Sequence, residues 1–358
     1  MERFGFVGLP NSGKSTLYNS LTGGAALAAP YAFATTDPNV GVAQVPDARL
    51  DRLAQMSGSD KVVAARVEFL DIGGLVEGAS KGEGLGNQFL AGIREVDAVV
   101  FVLRAFENPD VPGSPDPLDQ LQVLELELTL ADLESAERQV QRRRKAATGD
   151  PAIALEVERL DGAVDVLEGA TPLYRSGLDE ARRRALDSFF LLTNKPIMAL
   201  VNAGEEQLDE LEDVLAPVRD ALGDHAEVIG MCVQLEAEAA QLDAEERVEM
   251  LEGLGLGEGA LPRFIHAAYH LLGLRTFFTT GPKETRAWTF RAGSRAPAAA
   301  GLIHTDFQRG FIRAEVIQVD ELLEIGAWTK ARELGKIRVE GKEYEVKDGD
   351  VLDIRFNV

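Results

Sequence analysis

The chain is poor in cysteine, in aromatic residues and in positive charge. Its one cysteine, Cys232, excludes an internal disulfide, and a reducing compartment such as the cytoplasm is the setting this predicts. No apolar run approaches the roughly 18 residues that a membrane-spanning helix needs. The opening stretch, MERFGFVGLPNSGKS, enters a strand pattern at once and predicts no signal peptide. Lysine and arginine number 37 against 59 aspartates and glutamates, a net charge of −22, which argues against broad, non-specific binding to nucleic acid. The deficit is uneven. Residues 279–358 carry 13 charges of each sign, so the whole −22 lies in residues 1–278, and the last 80 residues read as a compositionally separate, appended domain. At 358 residues the chain has length for two or three domains.

What is present is first an alternation of strands and helices. FGFVGL (4–9), VVAARVEFLDI (62–72), AVVFVLRAF (98–106), PIMALVNA (196–203) and AEVIGMC (226–232) are apolar runs spaced by helical stretches. That rhythm predicts an α/β fold, a doubly wound and mostly parallel sheet covered on both faces. Residues 118–190 interrupt it with Leu, Glu, Arg and Ala at helical spacing on either side of a TGDP turn (148–151). This predicts an inserted antiparallel helical hairpin. From about residue 275, short strands around one helical piece predict a small α+β domain.

GLPNSGKS (8–15) fits the phosphate-binding pattern G-x-x-x-x-G-K-S between a strand and a helix. The backbone from Pro10 through Asn11, Ser12 and Gly13 to Thr16 would wrap the phosphates, with the N–H groups of its non-proline residues turned inward. Lys14 would bridge the β- and γ-phosphates and Ser15 would ligate Mg²⁺. FLDIGG (69–74) puts Asp71 beside that metal and the Gly74 N–H against the γ-phosphate. YAFATTDPNVG offers Thr35 or Thr36 as a threonine closing on Mg²⁺. For the base, LVNAGE ends a strand with Asn202, Ala203 and Glu205 where a guanine site has Asn-Lys-x-Asp. The longer glutamate crowds the guanine edge and the lysine stem is gone, so adenine is favoured, with Asn202 and the Ala203 backbone as contacts. Asn202 as a helix cap near residue 206 is the plain alternative. The rival pair Asn194-Lys195 precedes its strand, whereas ligands bind at strand carboxyl ends. Two basic runs, Arg142–Lys145 and Arg182–Arg184, read as solvated helix faces, with RNA contact as the alternative.

These stretches, with GLPNSGKSTLYNSLT, FATTDPNVGVAQVPDARL, DIGGLVEGASKGEGLGNQFL, NKPIMALVNAGE and the tail RAWTFRAGSRAPAAAGLIHTDFQRGFIRAEVI to KDGDVLDIRFNV, resemble the Obg-like ATPases of the YchF subfamily over essentially the whole chain. The resemblance implies a nucleotide domain (1–117 and 191–274), the inserted hairpin (118–190) and a C-terminal TGS domain of β-grasp fold (275–358). It implies Mg²⁺-dependent ATP hydrolysis preferred over GTP. It further implies a cytoplasmic monomer that meets the ribosome at large-subunit or intersubunit contacts, with RNA touched by the hairpin or the TGS domain. Thr35 takes the place of the switch threonine, and Cys232-Val233 fall where the family has a Ser-Ala element behind the base. The chain departs from the family in one respect. The loop RAFENPDVPGSPDPL (104–118) lacks the histidine proposed there as catalytic. Leu75 after D-x-x-G agrees with the family but cannot orient water, so no catalytic side chain is assigned. Asn11 could hold K⁺ against the phosphates, although asparagine in a turn has a simpler reading. A GTP-binding switch of the Obg type and a metabolic phosphotransferase on the same loop are the alternatives.

Overall fold

The computed structural model describes residues 2–23, 40–74 and 85–357. Its strands, in chain order, are β1 (Arg3–Gly8), β2 (Val40–Gln44), β3 (Val62–Val63), β4 (Arg66–Gly74), β5 (Ala98–Arg104), β6 (Ile197–Asn202), β7 (Glu227–Met231), β8 (Leu274–Thr279), β9 (Thr285–Arg291), β10 (Phe311–Gln318), β11 (Arg338–Glu340) and β12 (Asp350–Phe356). The chain forms two compact units, residues 1–42 with 68–261 and residues 43–67 with 262–358.

The sheet of the first unit has the order β2-β4-β1-β5-β6-β7, and β1 pairs in parallel with both β4 and β5. The chain crosses from one side of β1 to the other between β4 and β5. The carboxyl end of β1 is therefore a topological switch point, where such sheets bind ligands. β5 and β6 are buried at every position, as central strands covered on both faces must be. One covering helix is Leu211–Leu222, through Leu215, Val218 and Leu222.

Another, packed in the same core, is the long helix Pro117–Ala147. Asp116 caps it by accepting from Leu118 N at 2.8 Å, with Pro117 in the first turn. Its first half drives Leu121, Leu124 and Leu128 into the sheet's core. Its second half turns Ala136 and Val140 toward Leu160, Ala163 and Leu167 of the returning helix Pro151–Glu168. The predicted hairpin turn lies at 148–150, where Asp150 caps the second helix. Asp132, almost wholly buried, joins the hairpin to the approach to β6. Its carboxylate accepts from the N–H groups of Leu192 and Thr193 and from the Thr193 hydroxyl, each at 2.7 Å. Burial raises this carboxyl to about 6.

The second unit holds a mixed sheet of order β11-β10-β12-β8-β9-β3. β8 and β12 are parallel, while β10 runs antiparallel to β11 and β12. Its helix Ala296–Ile303 buries Ala296, Ala299 and Ala300 against Phe277, Phe290, Val316 and Leu352, the helix-on-sheet core of a β-grasp. Two features differ from the sequence reading. The apolar run 62–72 is not one strand: β3 pairs with β9 and β4 with β1, so a continuous hydrophobic stretch serves two sheets. In addition, residues 43–67 pack with the C-terminal segment. Arg49 bridges Asp47 and Asp348 at 2.8 and 2.9 Å, Asp348 accepts from Thr276 N, and the Ser59 and Thr285 hydroxyls meet at 2.7 Å. These polar links are invisible to hydrophobic periodicity.

Truncation at residue 278 therefore cuts into a folded unit. It strips β9 to β12 from β8, uncovers Phe277 and Phe278, which are fully buried, and takes Asp348 from Arg49. Each phenylalanine contributes about 2 kcal/mol. The truncated chain is expected to bind a hydrophobic dye and to lose part of its cooperative melting; an unchanged melting profile would contradict the packing described.

Candidate nucleotide site

Gly8 ends β1 and the loop turns at once. A Cβ at Gly8 would stand 2.4 Å from the Val102 carbonyl of β5, and one at Gly13 would stand 2.3 Å from Asn202 Nδ2. Gly13 also has φ +99°, so both glycines of the motif are required on geometric grounds. Asn11 has φ +60°, a left-handed conformation that asparagine tolerates better than most residues. That accounts for the asparagine as a turn residue. The helix Lys14–Gly23 follows, and its free N–H groups face the loop.

Lys14 is buried. Its ammonium donates to Leu9 O at 2.7 Å and Gly8 O at 3.1 Å. Burial lowers its pKa to about 8, opposed by the charge of Asp71. Ser15 Oγ, on the helix, donates to Asp71 Oδ2, on β4, at 2.6 Å, so two hard oxygen ligands from different elements meet beside the phosphate loop. This is the ligand chemistry that suits Mg²⁺. Gly74 lies at the end of β4, opposite Gly8 in the register. Thr35, Thr36 and Leu75 lie outside the described residues.

Asn202, 5% exposed, holds two parts of the site together. Its Nδ2 donates to Ser12 O at 3.0 Å, and its Oδ1 accepts from Val233 N at 3.1 Å. It does not cap the following helical turn: that turn starts at Gly204, whose N–H is satisfied by Gln207 Oε1. The rejected pair behaves as expected. Asn194 bonds Arg183 O and Asp187, and Lys195 bonds Arg94 O and Val96 O, all before β6 begins.

A cavity of about 740 Å³ gathers these groups. Of the expected residues, Asn11, Gly13, Lys14, Ser15, Thr16, Asn202, Ala203 and Glu205 line it. Ser12 is buried behind the loop and acts through its carbonyl, while Pro10 is exposed and does not line the cavity. The sequence reading missed one wall, Phe106, Glu107, Asn108 and Val111, and on another side Glu206, Gln234, Leu235 and Glu238. The position of RAFEN just beyond the carboxyl end of β5 was the available signal. None of the chain's four histidines is among the lining residues. Burial raises the Cys232 thiol, which faces the N–H groups of Gln234 and Leu235, so it stays protonated and is no activated thiolate. In the basic runs, Arg143 pairs with Glu156, Arg144 with Asp161, Arg182 with Asp179 and Arg184 with Glu180, while Arg183 donates to Asn194 O. Most of that charge is neutralised within the hairpin.

A glycine-bounded loop between a central parallel strand and a helix, with lysine, serine and a β4 aspartate converging on it, defines a P-loop nucleoside triphosphatase of the switch type. The comparisons narrow the class. Residues 3–146 match the family described as 50S ribosome-binding GTPase, and residues 274–357 match YchF-GTPase_C, described as a protein of unknown function. The chain is 48% identical to the ribosome-binding ATPase YchF of Haemophilus influenzae and 46% identical to that of Bacillus subtilis, in each case over 99% of both proteins. The solved YchF GTPase of Schizosaccharomyces pombe superposes with a TM-score of 0.87 at 32% identity, covering 99% of this chain and 97% of that one. The chain belongs to the YchF family.

The Ser15–Asp71 pair makes a specific forecast. In Ser15→Ala, ATP affinity measured in EDTA should match the wild type, while the gain on adding Mg²⁺ should shrink by about tenfold. Lys14→Ala should weaken binding in both conditions. Titration calorimetry with and without Mg²⁺ checks both, and a full Mg²⁺ gain in Ser15→Ala would refute the metal assignment.

Proposed function

We propose that the chain is an ATP-hydrolysing switch that prefers ATP to GTP and associates with the ribosome according to the nucleotide it holds. The observation that carries the base preference is the state of the N–H groups at the base end of the cavity. Ala203 N is bonded to Met231 O at 2.9 Å, and Val233 N to Asn202 Oδ1. Guanine O6 needs a donor, and these two are committed. Adenine presents an amino group, which needs an acceptor, and the Ala203 carbonyl would supply one. Glu205, at the cavity rim, stands where the aspartate of a guanine site would be. A mismatched hydrogen-bonding edge costs far more than a misfitting methylene.

In this reading the loop from Pro10 to Thr16, with Gly74, cradles the phosphates. Ser15, Asp71 and Thr35 hold Mg²⁺, which neutralises charge on the phosphates when bound. K⁺ beside Asn11 would add to that charge. Lys14 and the backbone N–H groups stabilise the transferred phosphoryl group without orienting water. Hydrolysis by the isolated chain is therefore slow, below the roughly 1–100 s⁻¹ of kinases. Ribosome association is supported by the names of the relatives, and the hairpin and the β-grasp unit are the elements available for contact with it. A monomer in the cytoplasm completes the reading; among the described residues no helix is long and apolar enough to cross a membrane.

Calorimetric titration with ATP and GTP tests the base preference. ATP should bind more tightly, by about tenfold or more; equal or tighter GTP binding would overturn the reading. Single-turnover hydrolysis should be slow in Na⁺ and should rise with ribosomes. Fast turnover by the isolated protein would reveal an unassigned catalytic group.

A further inference from the structure

The wall formed by Phe106, Glu107, Asn108 and Val111 is a loop without regular structure, and one buried side chain spans it. Arg104, the last residue of β5, is 4% exposed. Its guanidinium reaches across the loop, donating to Gly113 O at 2.6 Å and Val111 O at 3.3 Å, with Pro112 O at 3.5 Å. Its Cζ lies 5.7 Å from the centroid of the Phe106 ring. Two cavity-lining residues, Phe106 and Val111, are thus backed or bonded by one side chain. A planar fork can serve several carbonyls at once, whereas an ammonium on a flexible stem cannot keep that geometry.

Arg104 is itself fixed from behind. Gln120, in the first turn of the long helix and 3% exposed, accepts from Arg104 N at 2.9 Å. Its amide donates to Arg104 O at 2.8 Å and to Ser114 O at 3.0 Å. A second, smaller cavity of about 230 Å³ is lined by Arg104, Glu107, Asn108, Val111 and Gly113. The loop therefore stands between two spaces and has room to shift if the guanidinium is lost.

We propose that Arg104, held by Gln120, is a positioning residue for nucleotide selection: it fixes the 106–113 loop as the cavity wall that adjoins Asn202 at the end of β6. It touches no phosphate-loop atom in its hydrogen bonds. Its loss therefore acts on the nucleoside end and leaves the phosphate end intact. Displacing a wall by about 1 Å can cost up to a hundredfold in a well-fitted site.

This inference rests on the ATP reading above, and the test separates the two. Affinities for ATP, GTP and inorganic tripolyphosphate, all with Mg²⁺, are measured for the wild type, Arg104→Lys and Gln120→Met, alongside thermal melting. Arg104→Lys should bind ATP about tenfold more weakly and bring the ATP-to-GTP ratio toward one, while tripolyphosphate affinity stays within about twofold. Gln120→Met should move the same quantities less far, and it carries the test if Arg104→Lys does not fold. A folded variant that keeps the wild-type ATP-to-GTP ratio overturns the proposal, as does an equal loss for tripolyphosphate, because a merely structural role would weaken all three ligands together. A wild type that does not prefer ATP overturns the functional reading instead; the proposal is then judged on nucleotide affinity against tripolyphosphate affinity.

Discussion

The candidate site depends on one amide. Asn202 binds Ser12 O with one end and Val233 N with the other, and its own carbonyl accepts from Ala105 N at 2.8 Å and Phe106 N at 3.3 Å. One residue at the end of β6 thereby joins the phosphate loop, the segment after β7 and the loop after β5. All three leave the carboxyl edge of the same sheet, and nothing in their local sequences would fix their spacing. Buried amides of this kind are costly to leave unpaired, at about 1–3 kcal/mol per orphaned group, so the bridging pattern specifies one arrangement. The same bridge explains why Gly13 tolerates no side chain: the Asn202 amide occupies the space a Cβ would need.

The sheet provides the rigid base for this edge. β5 and β6 are buried throughout, and the long helix and Leu211–Leu222 close over them. The long helix leaves the sheet core after Ala131 and packs into the hairpin core from Leu133 on, so a single element belongs to both. Gln120 in its first turn and Asp132 further along are the polar attachments to the loop after β5 and to the approach to β6. The hairpin is therefore anchored near both strands that frame the cavity.

Much of this was legible in the sequence because the signals were local. The phosphate loop is one contiguous motif, β5 and β6 are unbroken apolar runs, and Asp116-Pro117 and Asp150-Pro151 mark helix starts by chemistry that acts within one turn. What escaped is non-local. The run 62–72 reads as one strand because hydrophobicity does not say which sheet a strand joins. Membership of residues 43–67 in the second unit rests on distant partners, the pairing of β3 with β9 and contacts such as Arg49 with Asp348, 299 positions apart. The wall at 106–113 exists because Arg104 folds back on it. Asn202 was recognised as a site residue, but its bridging role required the coordinates of Ser12 and Val233.

The central claim is that Asn202 assembles the phosphate end as well as the base end. Binding of inorganic tripolyphosphate to Asn202→Ala tests it most directly, since that ligand has no base to contact. The account predicts that tripolyphosphate affinity falls by about tenfold along with ATP affinity, in a protein that still melts cooperatively. Tripolyphosphate binding at the wild-type level, with ATP alone weakened, would show that Asn202 serves only the base and that the phosphate loop holds its shape without it.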